Sequence, residues 1–401
     1  MKIALVSPYD WLTPGGVNVH VDKLADRLIA RGNYVRILAP ASEEIADPRV
    51  IRIGRPLPIP ASGSMARITL DPRLGRQVKQ LLTEEQFDIV HIHEPLMPSL
   101  PLHVLRHSRN ANPSVVNVGT FHATKDGGNK LYSYGRLLLK RWFRELDGKI
   151  AVSDPAARFV SQYFPGFFNV IPNGIEIERF SDPELEPIPE FDDGRTNILY
   201  VGRAEKRKGL VYLLRAFAMV HARNPETRLL VVGPDSRARR NYRSMVADRG
   251  PANVEFIDDV SDAELPRYHR TAQILSSPAT GHESQGYVLL EAMAAGLPVV
   301  ASNIDGYASV ITHATDGLLV RPRDPLALAD GLTALVRNAD ARAAFAAAGR
   351  QRVEQYSWPR VTQSLVSYYE RLTYNHATHQ RSLRRPQVAG ESPDRAGSAR
   401  P

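Results

Sequence analysis

Short runs of β-branched and other apolar residues alternate with helix-like segments along most of the chain. The first series of strand-like stretches is KIALVS, YVRILAP, DIVHIH, VVNVGTFH and GKIAVS, and the segment VDKLADRLIARG has the spacing of a helix that ends at a glycine. A second series follows with TNILYVGR, TRLLVVGP, NVEFID, AQILSSP, LPVVASN and GLLVRP. This alternation predicts the α/β class, with parallel sheets covered by helices on both faces.

A segment rich in proline and acidic residues, IERFSDPELEPIPEFDDGRTN, separates the two series. We therefore predict two doubly wound, Rossmann-like domains at 1–174 and 195–355, joined by a linker at 175–194. A helical pattern at 356–376 follows, and the basic segment 377–401 is predicted to be a disordered tail. Because ligands of open α/β sheets bind beyond the carboxyl ends of the strands, two such domains facing each other would enclose a deep cleft.

Composition narrows the classes of function. The chain has 401 residues, 43% of them hydrophobic, and no apolar run approaches the length of a membrane span. The start MKIALVSPYD has too short an apolar stretch for a signal peptide and predicts a buried first strand. Cysteine is absent, which excludes disulfides, thiolate catalysis and cysteine-bound metal, and fits a reducing cytoplasm. The net charge of +8 suits anionic partners such as nucleotides, nucleic acid or acidic lipid.

Two glycines follow the first predicted strand in VSPYDWLTPGGVNVH. Gly15 and Gly16 have no Cβ atoms, so a phosphate would be able to approach the free N–H groups of the next helix closely. A tight turn that happens to contain two glycines is the alternative. The pattern is not G-x-G-x-x-G, so nicotinamide binding gains no support.

A basic cluster follows the first strand of the second series, in YVGRAEKRKGL. This cluster contains Arg203, which directly follows Gly202, and Lys208. A guanidinium offers a bidentate fork and an ammonium a point charge, and both suit a diphosphate. The alternative is a solvated basic loop, as most charge runs are.

Two carboxylates stand in the stretch HESQGYVLLEAMAAG. Glu283 and Glu291 are separated by roughly 12 Å along a helix axis, and both can address the same side. Ser284 is a possible N-cap and Gly296 a stop, and Gly286 lies at the helix start. This arrangement fits a nucleotide sugar, with Glu283 on the sugar hydroxyls, Glu291 on the ribose and the helix start on the diphosphate. The alternative is one glutamate favoured by the helix dipole and one on the surface, although a carboxylate in an apolar helix needs a partner.

Taken together, these motifs resemble a known family. The Gly-Gly turn, the Arg203–Lys208 spacing, the PNGI at 172–175 and the E-x7-E pattern are similar to group 1 retaining glycosyltransferases of the GT-B fold, over nearly all of 1–375. The resemblance implies acceptor binding mainly in the first domain, donor binding mainly in the second, and a C-terminal helix that crosses back to the first. It also implies a nucleotide sugar as co-substrate, no tightly bound cofactor, and a front-face route in which the leaving phosphate takes the acceptor proton.

Within that family, the first half is most similar to the phosphatidylinositol mannosyltransferases, through PGGVNVHV, HIHEPLMPSLPL, TFHATK and IAVSDPAARF. By this resemblance His122 matches a histidine near the donor sugar and the reaction centre. Tyr9, Ser64, Arg67 and Lys125 match positions around an inositol phosphate. Independently of the resemblance, Arg67 and Lys125 are cations that suit an anionic head group.

The chain also departs from that subset. Ala61 and Ser62 stand where an aromatic residue and an asparagine are usual in that subset, and Ala123 replaces a hydroxyl residue. These departures leave the identity of the acceptor open. Gln285 replaces an aromatic residue and His282 a small one, which leaves the donor sugar open.

The histidines of DIVHIH have two interpretations, metal ligation or structural support of the cleft. His91 and His93 alternate onto one face of a strand, with Glu94 next to them. Support of the cleft is favoured over metal ligation, so no metal site is predicted and the dependence on a divalent metal stays open.

Two segments have the composition of basic amphipathic helices. DPRLGRQVKQLL places Leu74, Val78, Leu81 and Leu82 on one face among basic residues, and GRLLLKRWFREL at 135–146 repeats the pattern. Such helices can lie on anionic lipid. The alternative is an ordinary amphipathic helix that covers its own sheet.

The resulting hypothesis is a cytoplasmic enzyme, peripheral at the inner face of the plasma membrane. It would transfer a hexose, mannose from GDP-mannose, to phosphatidylinositol or a related lipid. The alternatives are a glycosyltransferase with another nucleotide sugar and a soluble acceptor, or a nucleotide-sugar epimerase on the same scaffold. A nucleic-acid-binding protein ranks last, because the chain has no nucleic-acid motif and no stacking platform.

Overall fold

The chain forms two α/β domains, each with a parallel sheet between layers of helices. The fold is taken from a computed structural model. The described residues are 1–13, 15–61, 64–71, 73–124, 128–203, 205–233, 236–249, 253–258 and 260–384.

The first domain is built on a parallel sheet with an added hairpin. Its described strands are β1 (Lys2–Val6), β2 (Tyr34–Ala39), β3 (Val50–Arg52), β4 (Pro56–Ala61), β5 (Ser64–Thr69), β6 (Ile89–His93), β7 (Val116–Phe121), β8 (Gly148–Ala151) and β9 (Asn169–Val170). Its described helices are α1 (Gly16–Ile29), α2 (Leu74–Glu85), α3 (Leu100–Ala111), α4 (Lys130–Arg144) and α5 (Asp154–Ser161). The short helix α6 (Ile177–Ser181) lies in the predicted linker, and its Phe180 belongs to an apolar cluster of the second domain. The strand order in the sheet is β3-β2-β1-β6-β7-β8-β9.

Alternate residues of the central strand β1 face opposite layers. Ile3 and Leu5 belong to the apolar cluster formed with α1 and the C-terminal helix. Ala4 and Val6 belong to the cluster formed with α2, α3 and α4. Both faces of the sheet are therefore covered, which explains why the strands lack the polar alternation of a half-exposed sheet.

The second domain repeats this plan. Its described strands are β10 (Thr196–Val201), β11 (Thr227–Val232), β12 (Val254–Ile257), β13 (Ile274–Ser277), β14 (Val299–Ser302) and β15 (Leu318–Val320). Its described helices are α7 (Leu210–Arg223), α8 (Ser236–Arg249), α9 (Leu265–Thr271), α10 (Tyr287–Ala294), α11 (Asp305–Ala308), α12 (Pro325–Arg337) and α13 (Ala339–Val353). The strands are parallel in the order β12-β11-β10-β13-β14-β15. Strands are therefore added first on one side of β10 and then on its other side, as happens around β1 in the first domain. The prediction of two doubly wound α/β domains is confirmed.

The antiparallel hairpin β4–β5 attaches to the loop that follows β1. The backbone N–H of Asp10 donates to the carbonyl of Arg67 at 2.8 Å, and Tyr9 forms an isolated bridge with Ile68. Prolines at 56, 58 and 60 leave β4 without donors at alternate positions, which suits an edge strand. The hairpin thereby brings Arg67 to the edge of the cleft.

The helix α14 (Trp358–Arg384) follows the second domain and packs on the first. Trp358, Leu365 and Tyr369 lie in the same apolar cluster as strand β1. The helix continues through Arg384 into the first part of the predicted tail, because no proline interrupts it before Pro386. No helix in the described part of the chain, α14 included, is long and apolar enough to cross a membrane.

Candidate active site

The carboxyl ends of the central strands of both sheets open into one cleft that contains two adjoining cavities. The second-domain cavity, of about 380 Å³, lies against β10, α10 and the loop before α10. The first-domain cavity, of about 350 Å³, lies against β6, β7 and the hairpin β4–β5. The two cavities communicate, because both are lined by Gly15, Gly16, Val17, His122, Arg203, Arg207 and Ser284.

Paired charges fill one wall of the second-domain cavity. Arg207 Nη1 lies 2.6 Å and Lys208 Nζ 2.7 Å from Glu283 Oε1. A second carboxylate, Glu205, lies 2.6 Å from Arg207 and 3.0 Å from Arg203. The side chain of Glu283 is only 11% exposed, whereas that of Arg203 is 61% exposed. The cations and the carboxylate predicted from the sequence therefore meet in one place.

Arg207 is a site residue that the sequence analysis missed. Three cations are consecutive in the short 3₁₀ turn Lys206–Lys208, and only the turn geometry decides which of them face the cavity. Burial opposes the charge of Arg207, but Glu283 and Glu205 outweigh it and raise its pKa. The backbone carbonyl of Arg207 also accepts a hydrogen bond from the N–H of Thr280 at 2.7 Å, which holds the turn against the loop after β13.

The start of α10 differs from the prediction. The N-cap position is occupied by Gly286 at φ +90°, and not by Ser284. A Cβ at Gly286 would lie 2.6 Å from the ring of Tyr307, so the left-handed turn and the close packing both require glycine. The carbonyl of Ser284 instead accepts a hydrogen bond from Ser153 Oγ at 2.5 Å, which links the two domains.

Glu291 lies on α10 and lines the second-domain cavity. Burial raises the pKa of this carboxyl to about 7, and the nearby cations Arg179 and Lys208 oppose the increase. The hydroxyl of Tyr287, in the same cavity wall, is buried and has no hydrogen-bond partner among the described residues. The wall therefore presents polar atoms that a bound polyol would be able to satisfy.

The glycine turn after β1 faces this wall across the cleft. Helix α1 begins at Gly16, and a Cβ there would lie 3.6 Å from the ring of Tyr287. Gly15 and Gly16 are exposed, and the first turn of α1 contains no acidic residue. The start of this helix, whose first N–H groups have no partner within the helix, therefore lines the same space as Arg203 and Arg207.

His122 and Glu94 form the base of the first-domain cavity. One oxygen of Glu94 accepts hydrogen bonds from the backbone N–H of His122 at 2.7 Å and of Ala123 at 2.8 Å. Burial raises the pKa of Glu94 to about 7, although both hydrogen bonds oppose the increase. Burial, together with the nearby His20 and His91, keeps the pKa of His122 well below its usual value. His122 is therefore a neutral imidazole in a site of low polarity.

Three further histidines, His20, His91 and His93, form a cluster with His122. His93 Nδ1 lies 2.9 Å from His122 Nε2, and the ring of His91 stacks on that of His93 at 4.4 Å. His91 in turn lies 2.6 Å from the hydroxyls of Thr120 and Tyr369. The network joins the cleft to α14, and no group of three His, Asp or Glu side chains in the described part of the chain is arranged to hold a metal ion.

The residues predicted to bind the acceptor divide into two groups. Tyr9 and Arg67 line the first-domain cavity, where Arg67 Nη1 lies 3.3 Å from Thr13 Oγ1 and 3.7 Å from Asp10. The side chain of Ser64 at the start of β5 and the whole of Lys125 lie outside the described residues.

Gln285, one of the departures from the family pattern, joins the two halves of the cleft. Its Oε1 accepts hydrogen bonds from the backbone N–H and the Nδ2 of Asn173, both at 2.9 Å, and its Nε2 donates to the carbonyl of Asn173 at 3.3 Å. Both side chains are buried. An aromatic residue would make none of these hydrogen bonds, so the glutamine has a structural role here. The other departure in this loop, His282, lines the first-domain cavity.

Family models match both halves of the chain. Residues 14–179 match the model described as Glycosyltransferase Family 4, and residues 181–352 match the model described as Glycosyl transferases group 1. A phosphatidyl-myo-inositol mannosyltransferase of Mycobacterium leprae is 37% identical over 92% of this chain and 96% of its own length. One of the same name from Mycolicibacterium smegmatis is 35% identical over 98% of this chain and its full length.

Solved structures share the fold. A glycosyltransferase of Rickettsia africae has a TM-score of 0.75 at 19% identity, covering 93% of this chain and 99% of its own. Anabaena HepE, solved in complex with UDP and glucose, has a TM-score of 0.71 at 17% identity, covering 92% and 99%. The resemblance found in the sequence and the predicted GT-B architecture are confirmed. The chain is a glycosyltransferase and belongs to the group 1 glycosyltransferases, in the family that contains the phosphatidyl-myo-inositol mannosyltransferases.

Proposed function

We propose that the enzyme transfers mannose from GDP-mannose to phosphatidylinositol, with retention of configuration. The observation that carries this proposal is the junction of the two cavities, where Arg203, Arg207 and the glycine turn border the space that both share. A donor diphosphate at this junction would place its sugar next to His122. The names of the relatives support mannose and phosphatidylinositol as the pair of substrates.

The cations of the second-domain cavity have the role of holding the donor diphosphate. Glu283 and Glu205 fix Arg207 and Lys208 before the donor arrives, so their charges need little reorganisation when negative charge develops on the leaving group. Arg203 is more exposed, forms an ion pair with Glu205, and adds a third cation to this site. The N–H groups at the start of α1 carry partial positive charge, so they also favour the binding of the diphosphate.

The two glutamates have different roles in the donor site. Glu283, which forms ion pairs with Arg207 and Lys208, accepts hydrogen bonds from hydroxyls of the transferred sugar. Glu291 accepts hydrogen bonds from the ribose hydroxyls in the same cavity. Ser284, Gly202 and Gly286 provide backbone close to the donor phosphates and sugar.

The reaction proceeds on one face of the sugar. The bond from the anomeric carbon to the diphosphate oxygen breaks, and a bond to an inositol oxygen forms on the same side. The proton of the inositol hydroxyl passes to the departing phosphate oxygen, so no protein carboxylate pair of glycosidase type is required. Neutral His122 positions the sugar through a hydrogen bond and does not need to take the proton.

The acceptor lies in the first-domain cavity, with its phosphate near Arg67 and its inositol near Tyr9. Ser64 and Lys125 belong to this site through the family resemblance. The lipid chains then extend toward a bilayer, so the enzyme works as a peripheral protein on an anionic membrane surface at the inner face of the plasma membrane. A divalent metal is not assigned a role.

A product analysis tests this function. Purified enzyme with GDP-mannose and phosphatidylinositol vesicles is expected to give a mannosylated lipid, identified by mass spectrometry, with an α-configured anomeric centre by NMR. UDP-glucose in place of GDP-mannose is expected to give no glycolipid. A reaction without acceptor that yields an isomerised sugar nucleotide would instead favour the epimerase, and transfer only to a soluble acceptor would refute the lipid substrate.

A further inference from the structure

A residue with a strained backbone stands at the base of the first-domain cavity. Glu94 directly follows β6 and has φ +52°, a left-handed conformation that is uncommon for a residue with a Cβ atom. Glycine would adopt this backbone without strain, but it would provide no carboxylate. Strain of this kind is concentrated at binding and active sites, so the position of this side chain is the feature to explain.

The carboxylate of Glu94 is buried without a cation. The residue is 3% exposed, and no cation of the described chain forms an ion pair with it. Oε1 accepts the two hydrogen bonds that this carboxylate receives from described residues, from the backbone N–H groups of His122 and Ala123. Oε2 receives none from them, and Glu94 lines the first-domain cavity. Because a buried carboxylate oxygen needs a partner, Oε2 is available to a ligand in this cavity.

A second polar group reaches the same cavity from α4. Tyr132 lies in the first turn of this helix, where its backbone N–H donates to the capping side chain of Asn129 at 3.3 Å. Tyr132 is 3% exposed, and its ring packs against those of Phe159, Tyr163 and Phe164 at centroid distances of 5.3–6.2 Å. Its hydroxyl forms no hydrogen bond within the described ranges, and the residue lines the first-domain cavity. The ring is therefore held in place while its hydroxyl stays unused.

Glu94 and Tyr132 are neighbours on the acceptor side of the cleft. Burial raises the pKa of Tyr132 well above its usual value, and the nearby Glu94 and Tyr9 raise it further. All three residues line the first-domain cavity together with Arg67, and none of them lines the second-domain cavity. The unused polar groups of Glu94 and Tyr132 therefore belong to the cavity proposed for the acceptor.

The chemistry of this cavity base suits a ring that carries hydroxyl groups. A carboxylate oxygen accepts hydrogen bonds from hydroxyls, and a phenol hydroxyl both donates and accepts. Met97 and Phe159 add apolar surface to the same cavity, on which the C–H face of a ring can pack. A phosphate does not suit this position, because no described cation pairs with Glu94 to offset the repulsion.

We propose that Glu94 and Tyr132 form a polyol subsite at the base of the first-domain cavity and bind hydroxyls of the inositol ring of the acceptor. Glu94 Oε2 accepts a hydrogen bond from one ring hydroxyl, and the hydroxyl of Tyr132 bonds to another. The subsite rests on the proposed function and deepens it, since two fixed contacts orient the ring so that one remaining hydroxyl faces the sugar beside His122.

The affinity for a short-chain, water-soluble phosphatidylinositol in the presence of GDP tests the subsite without requiring turnover. Tyr132→Phe removes one hydroxyl, and Glu94→Gln keeps an oxygen for the N–H groups of His122 and Ala123 while it changes the other oxygen. The matched control is Tyr134→Phe, on the same helix but 87% exposed. Calorimetric titration of the full chain is carried out at about pH 8, because burial raises the pKa of Glu94 to about 7 and the carboxylate is mostly ionised above it.

Tyr132→Phe is expected to weaken binding of this lipid roughly fivefold, the value of a neutral hydrogen bond, and Glu94→Gln roughly thirtyfold, the value of a charged acceptor. The control is expected to bind like the wild type, and all variants to keep the affinity for GDP-mannose. Wild-type lipid affinity in either variant would overturn the proposal. An equal loss of affinity for GDP-mannose would also overturn it, by placing the donor sugar at this base.

Analogues of the short-chain lipid that lack one ring hydroxyl each distinguish a direct contact from a structural role. With one of these analogues, Tyr132→Phe is expected to weaken binding less than about twofold, because the hydroxyl that it contacts is already absent. With the other analogues the variant is expected to keep its full effect. An equal cost of Tyr132→Phe with every analogue would contradict the contact and indicate that the tyrosine only supports the cavity.

The same titrations separate the subsite from the transferase function. Lipid binding by the wild type without any transfer of mannose would refute the proposed function, while the affinities of the variants would still decide the subsite. Transfer by the wild type together with unchanged lipid affinity in the variants would refute the subsite and leave the function standing. A wild type that does not bind the lipid would refute both.

Discussion

The charge cluster around Glu283 and the pair Glu94–His122 lie in the same cleft but differ in their electrostatics. In the second-domain cavity, Arg207 and Lys208 each form an ion pair with Glu283, at 2.6 Å and 2.7 Å. In the first-domain cavity, burial drives His122 and Glu94 toward their neutral forms. On the proposed function, this difference places the stabilisation of the charged leaving group at Arg207 and Lys208, and the positioning of the sugar by a neutral side chain at His122.

The largest effect is expected from the paired cations. Arg207→Ala or Lys208→Ala should lower kcat by a factor of about 10²–10³, the usual cost of removing one preorganised charge donor. Lys206→Ala is the matched control, because Lys206 belongs to the same turn but is exposed. Initial rates with GDP-mannose and phosphatidylinositol measure the change. Equal rates for the Lys206 and Lys208 variants would remove the distinction between the two cavities.

Arg203→Ala is expected to cost less, about tenfold in kcat/KM, because its side chain is 61% exposed and solvent screens its charge. The sequence alone gave Arg203 and Lys208 equal weight. An Arg203 variant as inactive as the Lys208 variant would show that the cleft closes over this residue during turnover.

The next effect concerns the hydrogen bonds between Gln285 and Asn173, which join the two domains. Gln285→Met leaves the buried N–H groups of Asn173 without their acceptor, which should lower the free energy of unfolding by about 2 kcal/mol. Gln162→Met, at the exposed position directly after α5, is the control. Denaturant unfolding measures both variants. No loss of stability in the Gln285 variant would indicate that the two domains are held together elsewhere.

A pH dependence is expected from Glu291. Its pKa is about 7 in the folded protein and 4.5 ordinarily, so the folded state keeps a proton that the unfolded state releases. Stability from this group is complete below pH 4.5 and is lost as pH rises toward 7. Relative to Glu291→Gln, the wild type should lose roughly 2 kcal/mol over this interval, allowing for partial exposure. Glu94 titrates alike in both proteins, so parallel stability curves would contradict the assignment.

The smallest effect should come from the acceptor side. Arg67→Ala is expected to raise the KM for phosphatidylinositol about fivefold, the value of a partly exposed charged contact, and to leave the affinity for GDP unchanged. Rates at varied lipid and calorimetry with GDP measure the two quantities. A matching loss of GDP affinity would place Arg67 in the donor site instead.

The sequence predicts the fold well, because buried parallel strands and amphipathic helices have periods that depend on local residues alone. It also brings Glu283 and Lys208 to the same site through a family pattern. It does not separate Arg207 from Lys206, since three consecutive cations differ only in the direction that a 3₁₀ turn gives them. Nor does it distinguish α2 from α4, because both have basic amphipathic patterns and only packing shows which leucines are covered.

Contacts between residues distant in sequence could not be predicted from the sequence for another reason. Gln285 and Asn173 are 112 residues apart, and nothing local to either marks the pair. The predicted N-cap at Ser284 was wrong because its loop is tied to Ser153 in the other domain, which leaves Gly286 to begin the helix.

The most direct test of the central claim, that the charge cluster of the second-domain cavity holds the donor diphosphate, is calorimetric titration of GDP and GMP. The wild type and Lys206→Ala are expected to bind GDP more tightly than GMP, and Arg207→Ala/Lys208→Ala to bind the two with nearly equal affinity. An undiminished preference for GDP in that double variant would contradict the claim.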